Sequence, residues 1–335
     1  MMRKILASLL ITIAVLLVVV LALIYSDAPA FVPSAGDSGI QFAEAAAVDY
    51  SDLPPSQSFT ARDGIALPYR RYESRDDSDR LIILVHGSAW HGMQFHAMAR
   101  NLAAAGRGTV IAPDMRGHGA NPVRRGDVDQ IGQLEEDISD LIDHLTKDRD
   151  QTQVILGGHS SGGGFVVRFA GGAYGHRADG FILLAPFLKY NAPTTQANSG
   201  GWARPAIRRI IGLSMLNVIG IRALNHLPVI SFAMPASVMD GPYGHTVTTT
   251  YSYRLNTAFA PRPEDYEADL AAINKPLLVM VGDQDEAFNA AAFEPVITAQ
   301  TDQGRYHIIK GASHMGVVTG SAAISVLKNW LAALP

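Results

Sequence analysis

The stretch Gly157-Gly158-His159-Ser160-Ser161-Gly162-Gly163-Gly164 follows the apolar run Val154-Ile155-Leu156. An apolar strand that ends on small residues, offers a hydroxyl and then runs into an apolar helix start lifts that hydroxyl onto a sharp turn above a sheet. The frame Gly158-x-Ser160-x-Gly162 selects the Ser160 side chain over that of Ser161, because a strained turn needs neighbours without side chains. A serine hydroxyl is a weak nucleophile. It needs an imidazole to take its proton and a carboxylate to orient the imidazole. Both types occur in short loops after apolar runs: Gly282-Asp283-Gln284-Asp285-Glu286 follows Leu277–Val281, and Gly311-Ala312-Ser313-His314-Met315-Gly316 follows Tyr306–Ile309. His314 is the candidate base, and Asp283, Asp285 and Glu286 compete for the acid.

Attack on an acyl carbonyl also develops negative charge on oxygen, which backbone N–H groups can hold. Small residues in His86-Gly87-Ser88-Ala89-Trp90-His91-Gly92, directly after the run Leu81–Val85, free such donors. Ser88 is the first choice, with Ala89 the close alternative. The second donor is the N–H of Ser161, at the positive end of the helix that follows the nucleophile. The chain has 11 histidines, most of which have bland roles. His86, His118 and His159 shape loops in this reading, and Asp114 with Arg116 braces a turn. His91 and His96 have ligand-like spacing but no supporting cluster of carboxylates and histidines, so no metal is assigned. The chain contains no cysteine, which excludes disulfides and thiolate metal sites. No cofactor is implied.

These residues need strands to carry them. Leu81–Val85 is a short continuous apolar run of the kind found in strands buried on both faces, and Thr109–Ala112, Val154–Leu156, Phe181–Leu184, Leu277–Val281 and Tyr306–Ile309 read as further strands. Between them, Met93–Leu102, Leu134–Leu145, Phe165–Ala170 and Ile324–Leu331 have helical spacing. Asp63-Gly64 between Phe59–Arg62 and Ile65–Tyr69 predicts an antiparallel hairpin ahead of them. The alternation predicts an α/β fold with a mostly parallel sheet and helices on both faces. Residues 191–261 interrupt it. They are too long for a loop and rich in Ile, Leu and Val, so they read as an apolar helical insertion, either a lid or an ordinary subdomain.

The N-terminus has a different character. Arg3 and Lys4 precede an apolar run from Ile5 to Tyr25, and residues 26–57 are rich in Ala, Ser, Pro and Asp. About 20 apolar residues cross a bilayer, against roughly 7–15 in the apolar part of a cleaved leader. Residues 1–25 therefore read as a transmembrane signal anchor and 26–57 as a linker. Basic residues before the run place the N-terminus in the cytoplasm and the catalytic domain outside it. Ala28-Pro29-Ala30 is a small-residue cleavage site, and secretion after cleavage is the alternative. A formal net charge of −4 over 335 residues gives no basis for nucleic-acid binding.

Over residues 58–335 the chain resembles the α/β-hydrolase superfamily. Leu84-Val85-His86-Gly87, Asp114-Met115-Arg116-Gly117-His118-Gly119, the serine turn, Gly282-Asp283-Gln284-Asp285 and Ser313-His314 carry the resemblance. Within the superfamily it looks most like the monoacylglycerol lipase, lysophospholipase and serine aminopeptidase group. The resemblance implies the chain order nucleophile, acid, base, with Ser160 as nucleophile, Asp285 as acid and His314 as base. The insertion and the anchor add the expectation of an ester with an acyl chain, of monoglyceride or lysophospholipid type. Two rivals stand beside it. An aminopeptidase-like enzyme needs an insertion carboxylate to hold a substrate ammonium, and Asp240 is the only acid between Asn191 and Pro261. A non-catalytic binding protein would keep the fold without turnover.

Overall fold

The protein is described from a computed structural model, which covers residues 1–31, 39–148, 152–197, 201–262 and 265–334. In chain order the first elements are α1 (Met2–Tyr25), α2 (Ala43–Ala46), β1 (Ser56–Thr60), β2 (Ala66–Tyr72), β3 (Arg80–Val85) and α3 (His96–Ala104). There follow β4 (Thr109–Pro113), α4 (Gln133–Thr146), β5 (Gln153–His159), α5 (Ser161–Gly171) and β6 (Gly180–Leu184). The insertion supplies β7 (Ala203–Pro205), α6 (Ile207–Val218), β8 (Pro228–Phe232), α7 (Ala236–Met239), β9 (Thr250–Ser252) and α8 (Tyr253–Ala258). The chain closes with α9 (Tyr266–Ala271), β10 (Leu277–Gly282), α10 (Phe293–Thr298), β11 (Gly304–Ile309), α11 (Gly316–Thr319) and α12 (Ser321–Ala333).

Each apolar run of the sequence is a strand of one eight-stranded sheet, ordered β1-β2-β4-β3-β5-β6-β10-β11. The hairpin β1–β2 and the pair β2–β4 are antiparallel, and every other neighbouring pair is parallel. All residues of β4, β6 and β10 are buried, as strands covered on both faces must be. From β3 the chain moves outward to β4, then returns past β3 to β5. The direction of winding therefore reverses between β3 and β5, the place where open α/β sheets leave a crevice beyond their carboxyl ends. The loop after β3 and the serine turn after β5 both open onto it.

Two details go beyond the expectations. The insertion is helical only in part, and its β7, β8 and β9 form a separate three-stranded antiparallel sheet beside α6–α8. Strands of three to five residues offer too few alternating side chains for a period to be visible. The described part of the linker is not a free tether. Ile40, Phe42 and Ala45 are buried in the main core, and β1 begins inside it at Ser56.

The end of α1 is also seated on the domain. Val20 and Ile24 pack with Leu213, Leu216, Val229 and Tyr253 in a second apolar cluster. Arg209 Nε donates to the Ile24 carbonyl at 2.9 Å, Arg208 N–H donates to Asp27 Oδ2 at 3.0 Å, and Ser231 Oγ donates to the Ala30 carbonyl at 2.9 Å. The rest of α1 is exposed and apolar, with the length and composition of a membrane span.

Candidate active site

Ser160 lies between β5 and α5 with φ 55° and ψ −120°, a backbone conformation that an L-residue adopts only under constraint. Its N–H is held by the Leu184 carbonyl at 3.0 Å, and its own carbonyl accepts from Gly164 N–H at 3.0 Å and Phe187 N–H at 2.9 Å. The flanking glycines are required by close approach. A Cβ on Gly158 would stand 2.2 Å from the Gly162 carbonyl oxygen, and one on Gly162 would stand 2.3 Å from the carbonyl oxygens of Val85 and His86. The small residues read from the sequence are thus the condition for β3, β5 and α5 to meet at one point.

The three carboxylates that the sequence left in competition separate by geometry. Asp285 Oδ2 meets His314 Nδ1 at 2.8 Å, with both side chains buried. Its other oxygen accepts from the N–H groups of Ala287 and Phe288 at 2.9 Å each, which fixes the carboxylate plane. Asp283 instead accepts from Gly311 N–H at 2.6 Å, and Glu286 accepts from His314 N–H at 2.8 Å. Those two brace the loops that carry Asp285 and His314. With Nδ1 donating to Asp285, Nε2 of His314 is the ring nitrogen left as an acceptor. Ser160, His314, Ser88 and Gly87 line one small cavity.

Further residues hold this arrangement and were not assigned from the sequence. Gln94 Oε1 accepts from Gly87 N–H at 3.0 Å, while Gln94 Nε2 donates to His159 Nδ1 at 2.7 Å. His159 Nε2 then donates to the His314 carbonyl at 3.0 Å. One amide thereby ties the loop after β3 to the serine turn and, through His159, to His314. Burial, with the neighbouring His314 adding to it, keeps His159 well below its ordinary pKa, so it stays neutral and serves as a strut. His86 is a second strut: Nδ1 donates to the Gly87 carbonyl at 2.8 Å, and Nε2 accepts from Met115 N–H at 3.1 Å. Burial pushes it down to about 4. Nothing in the spacing marks Gln94, whose partners lie on other elements.

The two candidate oxyanion donors also separate. Ala89 N–H is already given to Tyr251 Oη at 2.7 Å. Tyr251 in turn donates to His118 Nε2, since His118 Nδ1 faces the carbonyls of Met115 and Arg116 at 3.2 and 3.1 Å and must donate there. Ala89 is thereby locked at φ 63° by a tyrosine from the insertion. Among the described residues the N–H groups of Ser88 and Ser161 have no hydrogen-bond acceptor, and the two hydroxyls contact each other. Asp114 accepts from Gly92 N–H at 2.7 Å, while Arg116 pairs with Asp137 at 2.7 Å and Asp63 at 2.8 Å. Both are turn braces. His91 and His96 face apart: His96 meets Asp52 and Tyr72, and His91 stacks on Trp90. Among the described residues no group of histidines and carboxylates could hold a metal ion.

A larger open groove of about 580 Å³ lies beyond Asp285, lined by Pro193, Phe288 and Ile308 among others, and neither Ser160 nor His314 reaches it. Asp240 is exposed at the end of α7 and does not line the Ser160 cavity.

The sheet order, the strained serine after β5 and the Asp285–His314 pair define an α/β-hydrolase. The Serine aminopeptidase (S33) family profile matches residues 76–318, and the chain belongs to that family. It is 30% identical over 136 residues to a monoacylglycerol lipase of Mycolicibacterium smegmatis, covering 41% of this chain and 48% of that one. It is 30% identical over 144 residues to human monoglyceride lipase, covering 43% and 46%. The aligned region spans about half the length of these relatives. Among solved structures, a soluble variant of Saccharomyces cerevisiae monoglyceride lipase in complex with a substrate analog superposes with a TM-score of 0.65 at 17% identity, over 85% of this chain and 97% of that one. Paleococcus ferrophilus monoacylglycerol lipase gives 0.59 at 20%, over 80% and 98%.

Proposed function

We propose that the protein is a serine hydrolase of carboxylic esters with acyl chains, of monoglyceride or lysophospholipid type. The observation that carries this reading is the buried 2.8 Å contact of His314 Nδ1 with Asp285 Oδ2 at the cavity that holds Ser160. The contact fixes the imidazole tautomer that can take a proton at Nε2. In the first half-reaction Ser160 Oγ attacks the ester carbonyl and His314 Nε2 takes the hydroxyl proton. The carbonyl oxygen becomes an oxyanion facing the N–H groups of Ser161 and Ser88. The tetrahedral centre collapses, the ester C–O bond breaks, and the proton on Nε2 passes to the departing alcohol. Water then gives a proton to the same nitrogen and attacks the acyl carbonyl, the bond to Ser160 Oγ breaks, and Nε2 returns the proton to Oγ as the acid leaves. Asp285 stays ionised and holds the ring throughout.

An acyl substrate is supported by the apolar rings around Ser160 and by the names of the matched relatives. A retained membrane anchor, with its N-terminus cytoplasmic and the domain on the other side, is supported by the basic residues Arg3 and Lys4 at the start of α1 and by its seating on α6. An intact mass in the membrane fraction checks this, and a mature chain beginning near Phe31 overturns it. The peptidase alternative lacks an insertion carboxylate at the cavity. For the activity, a fluorophosphonate should label the full-length protein and fail to label Ser160→Ala. Labelling that survives Ser160→Ala, or turnover of aminoacyl-p-nitroanilides without turnover of p-nitrophenyl esters, contradicts the reading.

A further inference from the structure

The cavity at Ser160 is closed from an unexpected direction. Its lining includes Ile40 and Phe42, which come from the segment between α1 and β1, outside the hydrolase sheet and its insertion. Phe42 stacks on Trp90 at 5.2 Å between ring centroids and packs on Trp202 at 5.3 Å. Trp90 belongs to the loop that carries the oxyanion donor, and Trp202 to the insertion. With Ile40 and Phe42 in place, the space beside Ser160 and His314 is about 10 Å³. That is barely one water, and no acyl chain enters it.

We infer that the apolar surface of Trp90, Trp202 and Met315 beside Ser160 is the binding site for the substrate's acyl chain, and that Ile40 and Phe42 are its resident occupants, which withdraw when the ester binds. The inference rests on the ester-hydrolase reading. Three observations argue for an occupant over a fixed wall. The described polar fastenings of residues 39–46 are few and solvent-exposed, Gln41 N–H to Glu286 Oε1 at 3.2 Å and Thr319 Oγ1 to Glu44 Oε2 at 3.1 Å, whereas the stretch behind them is held by Asp52 against His96 and Arg100. No strand pairing includes residues 39–46, so their withdrawal leaves the eight-stranded sheet intact. The closed arrangement also leaves the buried Trp90 indole N–H without a partner among the described residues, a cost that favours opening. An acyl chain offers Trp90 and Trp202 the same apolar contact that Phe42 makes, so exchange conserves buried surface. Short esters gain less from the exchange, because they cannot cover both indoles. The segment therefore sets a threshold of chain length as well as closing the resting site. Apparent affinity for a long ester is reduced by the fraction of molecules that are closed.

The test uses the full-length protein in detergent. Because the chain has no cysteine, Gln41→Cys supplies a single exposed site for an environment-sensitive fluorophore. A decyl phosphonate ester bound covalently at Ser160 should shift its emission, and an ethyl phosphonate ester should shift it less. Phe42→Ala should lower KM for p-nitrophenyl decanoate about tenfold, on the scale of one buried aromatic side chain, and KM for the acetate in the same direction. Glu44→Ala removes no apolar side chain and should lower the decanoate KM in the same direction. Labelling by both phosphonates with no change in the fluorophore's emission overturns the inference while leaving the hydrolase intact. A decanoate KM that rises or stays unchanged in both variants does the same, since it makes Phe42 a wall that substrate needs. Failure of both phosphonates to label the wild-type protein overturns the hydrolase reading instead, and this inference with it.

Discussion

At the scale of single residues, the proposed mechanism divides one task between the paired serines. Ser160 supplies a side chain on a strained backbone, and Ser161 supplies an N–H whose position depends on α5 and not on its hydroxyl. Ser160→Ala should abolish ester hydrolysis, while Ser161→Ala should keep it within about tenfold, since only the contact with Ser88 Oγ is lost. Asp285→Asn preserves volume but offers His314 Nδ1 a donor in place of an acceptor on half of its amide. Loss of about 10³–10⁴ in kcat with normal folding is expected, measured on a p-nitrophenyl ester. Equal loss in Asp283→Asn would move the acid assignment. The histidines around the site carry a separate signature. Burial holds His86 down at about 4 and His91 at about 3, and it holds His118 and His159 well below the ordinary value of 6.5. Below pH 6.5 the unfolded chain binds protons that the folded chain refuses. Stability must therefore fall as pH drops from 6.5 towards 4, by up to about 1.4 kcal/mol per pH unit for each such histidine. The melting temperature between pH 8 and pH 5 reads this directly, and a flat profile would contradict it.

At the scale of elements, β3, β4, β5, β6 and β10 were legible because each carries an uninterrupted apolar run, and burial on both faces leaves that mark whatever the neighbours are. The serine turn and the loops of Asp285 and His314 were legible because they follow such runs. The partners of those residues were not. Gln94, Tyr251 and Phe42 act across elements 65, 162 and 48 residues away in sequence, and no local period encodes such a meeting. The junction of α1 with α6 was hidden in the same way. It turns on Gly212, where a Cβ would lie 2.7 Å from Ile24 Cγ1 and 3.1 Å from the Val20 carbonyl oxygen. Gly212→Leu should therefore pry the end of α1 from the domain without touching the sheet. Limited proteolysis of the detergent-solubilised protein should then cut between Ser26 and Phe31 several times faster than in the wild type. Unchanged cutting would show that the seating of α1 does not depend on this approach.

At the scale of the whole molecule, the lengths decide how the domain sits. The 24 residues of α1 span about 36 Å, and Val20 onward is packed on the insertion, so about 27 Å remains free of the domain. A bilayer core is about 30 Å thick, which leaves no slack between domain and membrane. With α1 spanning the bilayer as proposed, α6 lies at the bilayer surface. Its outward face carries Ile207, Ile211 and Met215 at four-residue steps, followed by Val218, Ile219 and Ile221, all exposed. Apolar surface continuous with a membrane span is where a lipid interface is expected, and it belongs to the insertion that also contributes Trp202 to the cavity. Charges on that face should uncouple the enzyme from embedded substrate and spare its chemistry. The double variant Ile211→Glu, Met215→Glu, reconstituted at full length in vesicles, should hydrolyse a soluble short-chain ester at the wild-type rate. A monoglyceride dissolved in the same vesicles should be hydrolysed at least about tenfold more slowly. Equal rates on both substrates would mean that the anchor alone delivers the site to lipid, and that the apolar face of α6 meets something else.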